Sequence, residues 1–305
     1  MIDAWLPLLA VALAAATPLV LAGTGELITE RAGVLNLGVE GMMLGGAVCA
    51  FAAASTSGQL WLGAAAGLAG GAVLAAVFGV LTQHLLANQV ATGLALTIFA
   101  IGLSAFAGKA FTGASLTGLQ PIPLPVLSAI PILGPILFNH DVLVYLAVAI
   151  AIGAWWFLRH SQSGLVLRSI RESPSAAHAL GYPVRLVRYA AILFGGAMAG
   201  LAGAYLALAY TPMWIEQMTA GRGWIALALV VFAAWRPLRL LIGAYLFGAI
   251  TVLQFHAQAI GIPVASQLLA CLPYVATIAV LAALSRRQDG SAAPASLGQA
   301  FHPGD

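Results

Sequence analysis

Nine runs of apolar residues, most of them about 20 residues long, constrain what this chain can fold into. A helix needs about 20 apolar residues to cross the roughly 30 Å hydrocarbon core of a bilayer. Only 7% of the 305 residues are Asp, Glu, Lys or Arg, whereas soluble domains average roughly 25%. The runs do not alternate between apolar and polar residues, as strands of a membrane β-barrel do. The sequence therefore predicts an all-α, polytopic membrane protein with about nine transmembrane segments, near residues 5–24, 37–55, 60–82, 88–108, 141–158, 189–209, 223–235, 240–259 and 266–284.

Arginine is concentrated in three places between or after these runs. Residues 159–188 hold five arginines against one acidic residue, and further pairs follow at Arg236 and Arg239 and at Arg286 and Arg287. Loops rich in Lys and Arg remain on the cytoplasmic side of a membrane. We therefore expect all three segments and the C-terminus to be cytoplasmic, and the N-terminus to lie outside.

This orientation divides the chain into functional parts. Residues 1–287 form the transmembrane domain, with a cytoplasmic loop at 159–188 and an outer loop at 109–140. The outer loop contains five prolines between positions 121 and 135, which exclude a continuous helix, so we expect an irregular or partly re-entrant cap. Residues 288–305 are rich in Ala, Ser, Gly and Pro, and this composition predicts a disordered cytoplasmic tail.

The cytoplasmic loop contains start and stop signals for a short helix. Ser173 is suited to cap the helix, Pro174 suits its first turn, and Gly181 suits its end. The sequence between them is rich in alanine, so the helix presents a surface that fits a shallow groove on a partner. A solvated loop that only fixes the membrane topology is the alternative.

The loop resembles the coupling loop of ABC-transporter permeases of the ribose and branched-chain amino-acid type. The residues that carry this resemblance are Arg171, Glu172, Ala176, Ala177 and Gly181. Three more blocks are similar to the nucleoside and simple-sugar permeases of that family, at residues 25–43, 218–228 and 272–274. Together the blocks span most of the chain in the expected order, and the length is similar to the shorter of the two permeases that such systems pair.

The resemblance implies a non-catalytic subunit of an ATP-driven importer in the inner or plasma membrane, for nucleosides or related small polar solutes. Its implied partners are a cytoplasmic ATPase, a second permease subunit (identical or different), an extracytoplasmic substrate-binding protein and the lipid bilayer. ATP and Mg²⁺ would bind to the ATPase, and this chain would carry no cofactor. The residues expected to couple to the ATPase are Arg168, Arg171, Glu172, Ser173, Pro174, Ala176, Ala177, Leu180 and Gly181. For Arg168, Arg171 and Arg185, pairing with lipid phosphates is an equal alternative.

Residues 25–41 place three carboxylates and an arginine between the first two apolar runs. A charged side chain at the centre of a bilayer costs about 2.5–3.5 kcal/mol on insertion scales, so these groups need partners or water. Glu26 and Glu30 share one helical face, and the glycines that follow predict a broken second helix. Three interpretations remain open: a turn that holds two helices by hydrogen bonds, a lining of the inner half of the pathway by Asn36 and Glu40, or proton coupling.

A second polar cluster, which includes Glu216 and Arg222, is expected on the opposite side of the membrane. Trp214 and Trp224 flank it and are typical of an aromatic belt at the membrane interface. The functional alternative is a contact with the binding protein or a re-entrant turn near an outer gate. We include Glu216 and Arg222 among the candidate pathway residues.

Other classes of function have less support. Residues 102–110 are similar to a phosphate-binding loop, but the spacing is one residue too long and Ala110 replaces the Ser or Thr that binds Mg²⁺. The histidines are scattered and no metal motif is present in the sequence. The net charge of +3 is explained by the loop arginines, so nucleic acid is not an expected partner. An ion- or proton-coupled secondary transporter and a structural membrane protein are the alternative functions.

Overall fold

The computed structural model describes residues 2–123, 125, 127–128, 130–131, 133–260, 264–285 and 293–301. This part of the chain is mainly helical, and α3 and α9 each end in a π-helical turn, Val80–His84 and Leu206–Tyr210. Two short antiparallel strands, β1 (Ile122–Pro123) and β2 (Asn139–His140), pair with each other. The α-helices are α1 (Ile2–Arg31), α2 (Val39–Ser57), α3 (Leu60–Gly79), α4 (Gln89–Gly108), α5 (Leu133–Leu137), α6 (Val142–His160), α7 (Gln162–Glu172), α8 (Pro174–Ala179), α9 (Val184–Tyr205), α10 (Arg222–Phe232), α11 (Pro237–Ala259) and α12 (Ser266–Ser285).

Seven helices within the described residues are long and apolar enough to cross a membrane. They match the first six predicted runs and the run at 240–259. The remaining two runs correspond to α10 and α12. α10 has only 11 residues, or about 16 Å of helix, which is too short to cross. The predicted all-α polytopic fold is confirmed, and nine is an approximate count of its membrane-embedded helices.

The break that the sequence predicts in the second helix lies before that helix. α1 ends at Arg31, residues 32–38 are non-helical, and α2 then continues without interruption to Ser57. Gly33 has a φ of +84°, a conformation that glycine adopts without steric cost. Non-helical backbone within a membrane protein is tolerated where protein atoms surround it, and most of this loop is buried.

α9 lies at the centre of the bundle and packs against α1, α2 and α3. Glycines allow these helices to approach closely. A Cβ atom at Gly67 would lie 2.6 Å from the Cβ of Ala204, and one at Gly71 would lie 2.6 Å from the Cα of Gly200. Both distances are well inside van der Waals contact. The glycines repeated at four-residue spacing therefore serve packing within the chain.

The arginine-rich segments meet at one end of the bundle, which we call the arginine-rich end. It is formed by residues 31–37, 80–89, 159–188 and 233–239. Arg31 donates a hydrogen bond of 3.0 Å to the carbonyl of Trp235, and Arg188 donates one of 3.1 Å to the carbonyl of Ala32. Two of the three predicted arginine clusters thus lie together, while residues 286–287 are outside the described part of the chain.

Residues 109–140 lie at the opposite end of the bundle. Apart from a 3₁₀ turn that extends α4, their described part contains only α5 and the two short strands, in agreement with the effect of the prolines. The backbone N–H groups of Leu116 and Leu119 each donate a hydrogen bond of 2.8 Å, to the carbonyls of Pro212 and Leu208. These bonds attach the segment to the end of α9.

The predicted disordered tail differs from the structure at residues 293–301. This segment packs against the arginine-rich end, and Ser296 and Phe301 are buried. Composition did not reveal this packing because the tail is held by backbone carbonyls at helix ends and by the burial of one aromatic side chain. Residues 288–292 and 302–305 lie outside the described residues, so the prediction is not tested there.

The glycine contacts predict a difference between two chemically identical substitutions. Gly71→Ala places a methyl group against the backbone of Gly200, and overpacking of this kind costs about 1–3 kcal/mol. The control Gly102→Ala adds the same methyl group where nothing lies within 4 Å, so it is neutral or stabilising by up to about 1 kcal/mol. The midpoint of heat-induced aggregation in detergent measures both, and equal midpoints would contradict the packing described here.

Candidate functional site

α8 is a short capped helix, as the sequence predicts. The hydroxyl of Ser173 accepts a hydrogen bond of 3.2 Å from the N–H of Ala176, and Pro174 is the first helical residue. Gly181 has a φ of +87°, which suits the left-handed end of a helix. α8 follows α7 directly and is connected through a short turn to α9. Any displacement of α8 therefore acts on both of these neighbouring helices.

The two alanines of α8 that the resemblance singles out face different ways. Ala177 is buried and packs with Ile170, Val184 and Phe301, so it seats the helix on the rest of the chain. Ala176 is exposed, and Leu180 is 75% exposed. The exposed residues of this segment are Ser175, Ala176, His178, Ala179 and Leu180, so most of its outward surface is small or apolar, and the buried Ala177 does not belong to it. Of the two alanines only Ala176 is exposed in this chain, and the contact of either with a partner stays a prediction.

The charged residues of the loop fall into three kinds: ion-paired, partly exposed and buried. Arg171 forms an ion pair with Glu172, with 2.8 Å between Nε and Oε1, and Glu172 is exposed. Arg168 and Arg185 are partly exposed and remain accessible to a partner or to lipid phosphates. Arg188 is fully buried and bonds to backbone carbonyls. This structural role is not apparent from the sequence, in which Arg188 is one of five arginines in a predicted cytoplasmic loop.

Glu26 and Glu30 hold the end of α1 to its surroundings. Both are buried. The backbone N–H of Asn36 donates a hydrogen bond of 3.2 Å to Glu26, and the indole N–H of Trp235 donates one to Glu30. Arg31 donates a hydrogen bond to the backbone carbonyl of Trp235, so Arg31 and Glu30 both bond to this residue. These contacts support the interpretation of a turn that holds helices together.

Asn36 and Glu40 are buried against atoms of the same chain. The side-chain carbonyl of Asn36 accepts a hydrogen bond of 2.9 Å from the N–H of Gly38. Glu40 accepts bonds from the hydroxyl of Thr219 and from the N–H groups of Gly221, at 2.9 Å, and Gly223, at 2.6 Å. The described hydrogen bonds of Asn36 and Glu40 hold turns and helix starts of this chain in place. That these two side chains line a pathway stays a prediction.

Glu40 contacts the polar cluster around residues 216–222, which the sequence predicts on the opposite side of the membrane from Glu40. Glu216 is exposed and Arg222 partly exposed. Arg222 donates to the carbonyls of Met218 and Thr219, and its guanidinium lies 5.8 Å from the ring centre of Tyr210. The expected separation does not hold for Thr219, because the N-terminus of the short α10 meets the start of α2 within the bundle. Met213, by contrast, pairs with Ser115 of the segment at the opposite end, and a pathway role for Glu216 and Arg222 stays a prediction.

We predict that Glu40→Gln destabilises the fold. Glutamine retains only one acceptor oxygen, so an N–H group near the start of α10 loses its partner, at a cost of about 1–3 kcal/mol. Heat-induced aggregation in detergent and membrane abundance measure this loss, with the exposed Glu216→Gln as control. Reduced uptake at unchanged stability would instead show that Glu40 contacts the pathway.

Comparisons with known proteins agree with this architecture. A family model described as the permease component of the branched-chain amino acid transport system matches residues 8–281. A protein of Haloferax volcanii, provisionally named a glucose ABC transporter permease, is 42% identical over 94% of this chain and 95% of its own length. A nucleoside ABC transporter permease of Lactococcus lactis is 34% identical (90% and 92% covered), and a guanosine ABC transporter permease of Bacillus subtilis is 32% identical (90% of each). The chain belongs to the family of permease components of branched-chain amino-acid-type transport systems.

Proposed function

We propose that this chain is the membrane-spanning permease subunit of an ABC importer for nucleosides or simple sugars, and that α8 docks on the partner ATPase. The observation that carries the proposal is the exposed outer surface of α8, formed mostly by small side chains and Leu180, on a capped helix between two membrane spans at the arginine-rich end. By the positive-inside rule this end is cytoplasmic, where an ATPase is found.

The proposed mechanism transmits motion through α8. ATP and Mg²⁺ bind to the ATPase, and closure of the ATPase displaces the docked helix. α8 is seated by Ala177 on Ile170 of α7 and Val184 of α9, so a displacement passes to both. The partly exposed Arg168 and Arg185 are placed to meet acidic groups of the ATPase or lipid phosphates.

The remaining partners and the substrate follow from the relatives. The names of three similar permeases contain the words glucose, nucleoside and guanosine. These names support a small, hydroxyl-rich solute as the substrate of this chain. A second permease subunit and an extracytoplasmic binding protein complete the proposed importer. Competition of labelled guanosine uptake by unlabelled nucleosides, pentoses and glucose identifies the substrate class.

If α8 docks on the ATPase, a charge on the outer surface of α8 should weaken the binding of the permease to the ATPase. Ala176→Glu adds a charged side chain where a small one faces outward, so we expect at least about a tenfold loss of co-purifying ATPase, the scale of a disrupted interface residue. The partner to assay is an ABC ATPase from the same organism that co-purifies with the unchanged permease.

Its control is Ser57→Glu, which adds the same charge at an exposed position at the opposite end. Both variants are expected to insert into the membrane normally. Retention of the ATPase by the inserted Ala176→Glu variant would refute the docking of α8.

An ABC importer uses ATP, whereas a secondary transporter that relies on Glu26 and Glu30 would use a proton gradient. The energy source of uptake therefore distinguishes the two functions. Because both carboxylates hold neighbouring elements by hydrogen bonds, we expect uptake to continue when a protonophore collapses the proton gradient and ATP is maintained. Depletion of ATP at an intact gradient should abolish uptake. Uptake into right-side-out vesicles loaded with a controlled amount of ATP measures both, and immediate loss with the protonophore alone would favour the secondary transporter.

A further inference from the structure

Residues 293–301, here called the C-terminal strap, cover the end of α7. The backbone N–H of Ser296 donates to the carbonyl of Arg171 at 3.1 Å. Its hydroxyl lies 2.9 Å from the same carbonyl and 3.2 Å from that of Ile170. The last carbonyls of a helix have no partner within it, so the strap supplies donors that α7 itself lacks.

The strap is also bound to the loop after α1. The N–H of Gly298 donates to the carbonyl of Gly33 at 3.1 Å. A Cβ at Gly33 would collide with the hydroxyl of Ser296, so only glycine permits this approach. The buried Arg188 donates to the carbonyls of Ala32 and Gln299, at 3.1 and 2.9 Å. One side chain thus joins the loop, the strap and the first turns of α9.

Phe301 connects the strap to α8. Its side chain is only 6% exposed and packs with Ile170, Ala177 and Val184. Its ring meets the ring of His178 edge-on, with centroids 5.4 Å apart. Phe301 therefore fills the space beneath the inner face of α8, the face opposite the surface proposed to dock. It belongs to the only described cluster in which buried side chains of α7, α8 and α9 meet.

We propose that the C-terminal strap, through Phe301, sets the position of α8 and carries its motion to the loop after α1. The inference rests on the proposed function, because it assumes that α8 couples to an ATPase. A six-residue helix has little stability of its own, so its position depends on the side chains beneath it. The strap bonds α7, the loop after α1 and Arg188 at once, and this gives α8 a second route to the bundle besides its flanking helices.

The test uses the complete importer, with its ATPase and binding protein, in proteoliposomes. Phe301→Ala removes the support of α8 and leaves its outer surface unchanged. We expect the complex to assemble and hydrolyse ATP, while guanosine or glucose uptake per ATP hydrolysed falls by about fivefold, at the lower end of typical coupling between sites. Phe301→Leu should restore most of the ratio, and Ala300→Ser, at an exposed strap position, should not change it.

Ser296→Ala provides a second measurement if Phe301→Ala does not assemble. It removes the hydroxyl contacts to α7, and the loss of one hydrogen bond should lower the same ratio by about twofold or more. Unchanged uptake per ATP in the variants that assemble would overturn the role of the strap. This outcome differs from a failure of the proposed function. If α8 did not dock on the ATPase, the Ala176→Glu variant would still co-purify with the ATPase, whatever the strap variants show.

Discussion

The carboxylate of Glu40 fixes a helix that cannot cross the membrane. α10 begins within the bundle, and the N–H groups at a helix start have no partners inside the helix. Glu40 accepts from two of them and from the hydroxyl of Thr219, and a negative charge is favourable at that end of a helix. The position of α10 in turn places Trp235, which meets Glu30 and Arg31. One side chain at the start of α2 thus organises contacts on two other helices.

Buried and partly buried charges in the described residues are held mainly by backbone groups at helix ends. Arg31 and Arg188 donate to carbonyls, and Glu26 and Glu40 accept from amide N–H groups. Helix ends are where unsatisfied backbone groups occur, and a dry interior makes unpaired groups costly. Each charge therefore stabilises a turn that would otherwise expose polar backbone. Few charges in a long apolar chain are sufficient for this purpose.

Local features were predictable from the sequence and distant contacts were not. The apolar runs and the signals at Ser173, Pro174 and Gly181 depend on neighbouring residues, and the structure has the helices there. The bond between Glu40 and Gly221 joins residues 181 positions apart, and nothing in either segment specifies the other. The inward orientation of Ala177 depends on Phe301, which lies in a segment whose composition predicts disorder. Sequence patterns report local geometry, whereas these sites arise from tertiary packing.

The glycine crossings of α2, α3 and α9 have a mechanical consequence. At Gly46, Gly71 and Gly200 the backbones lie so close that a single methyl group would not fit. Helices in such contact cannot slide or rotate past each other without steric collision, because no flexible side chains separate them. We therefore expect the three helices to move together. Any change of shape must then be taken up by the elements attached around these three helices and by the turns that connect them.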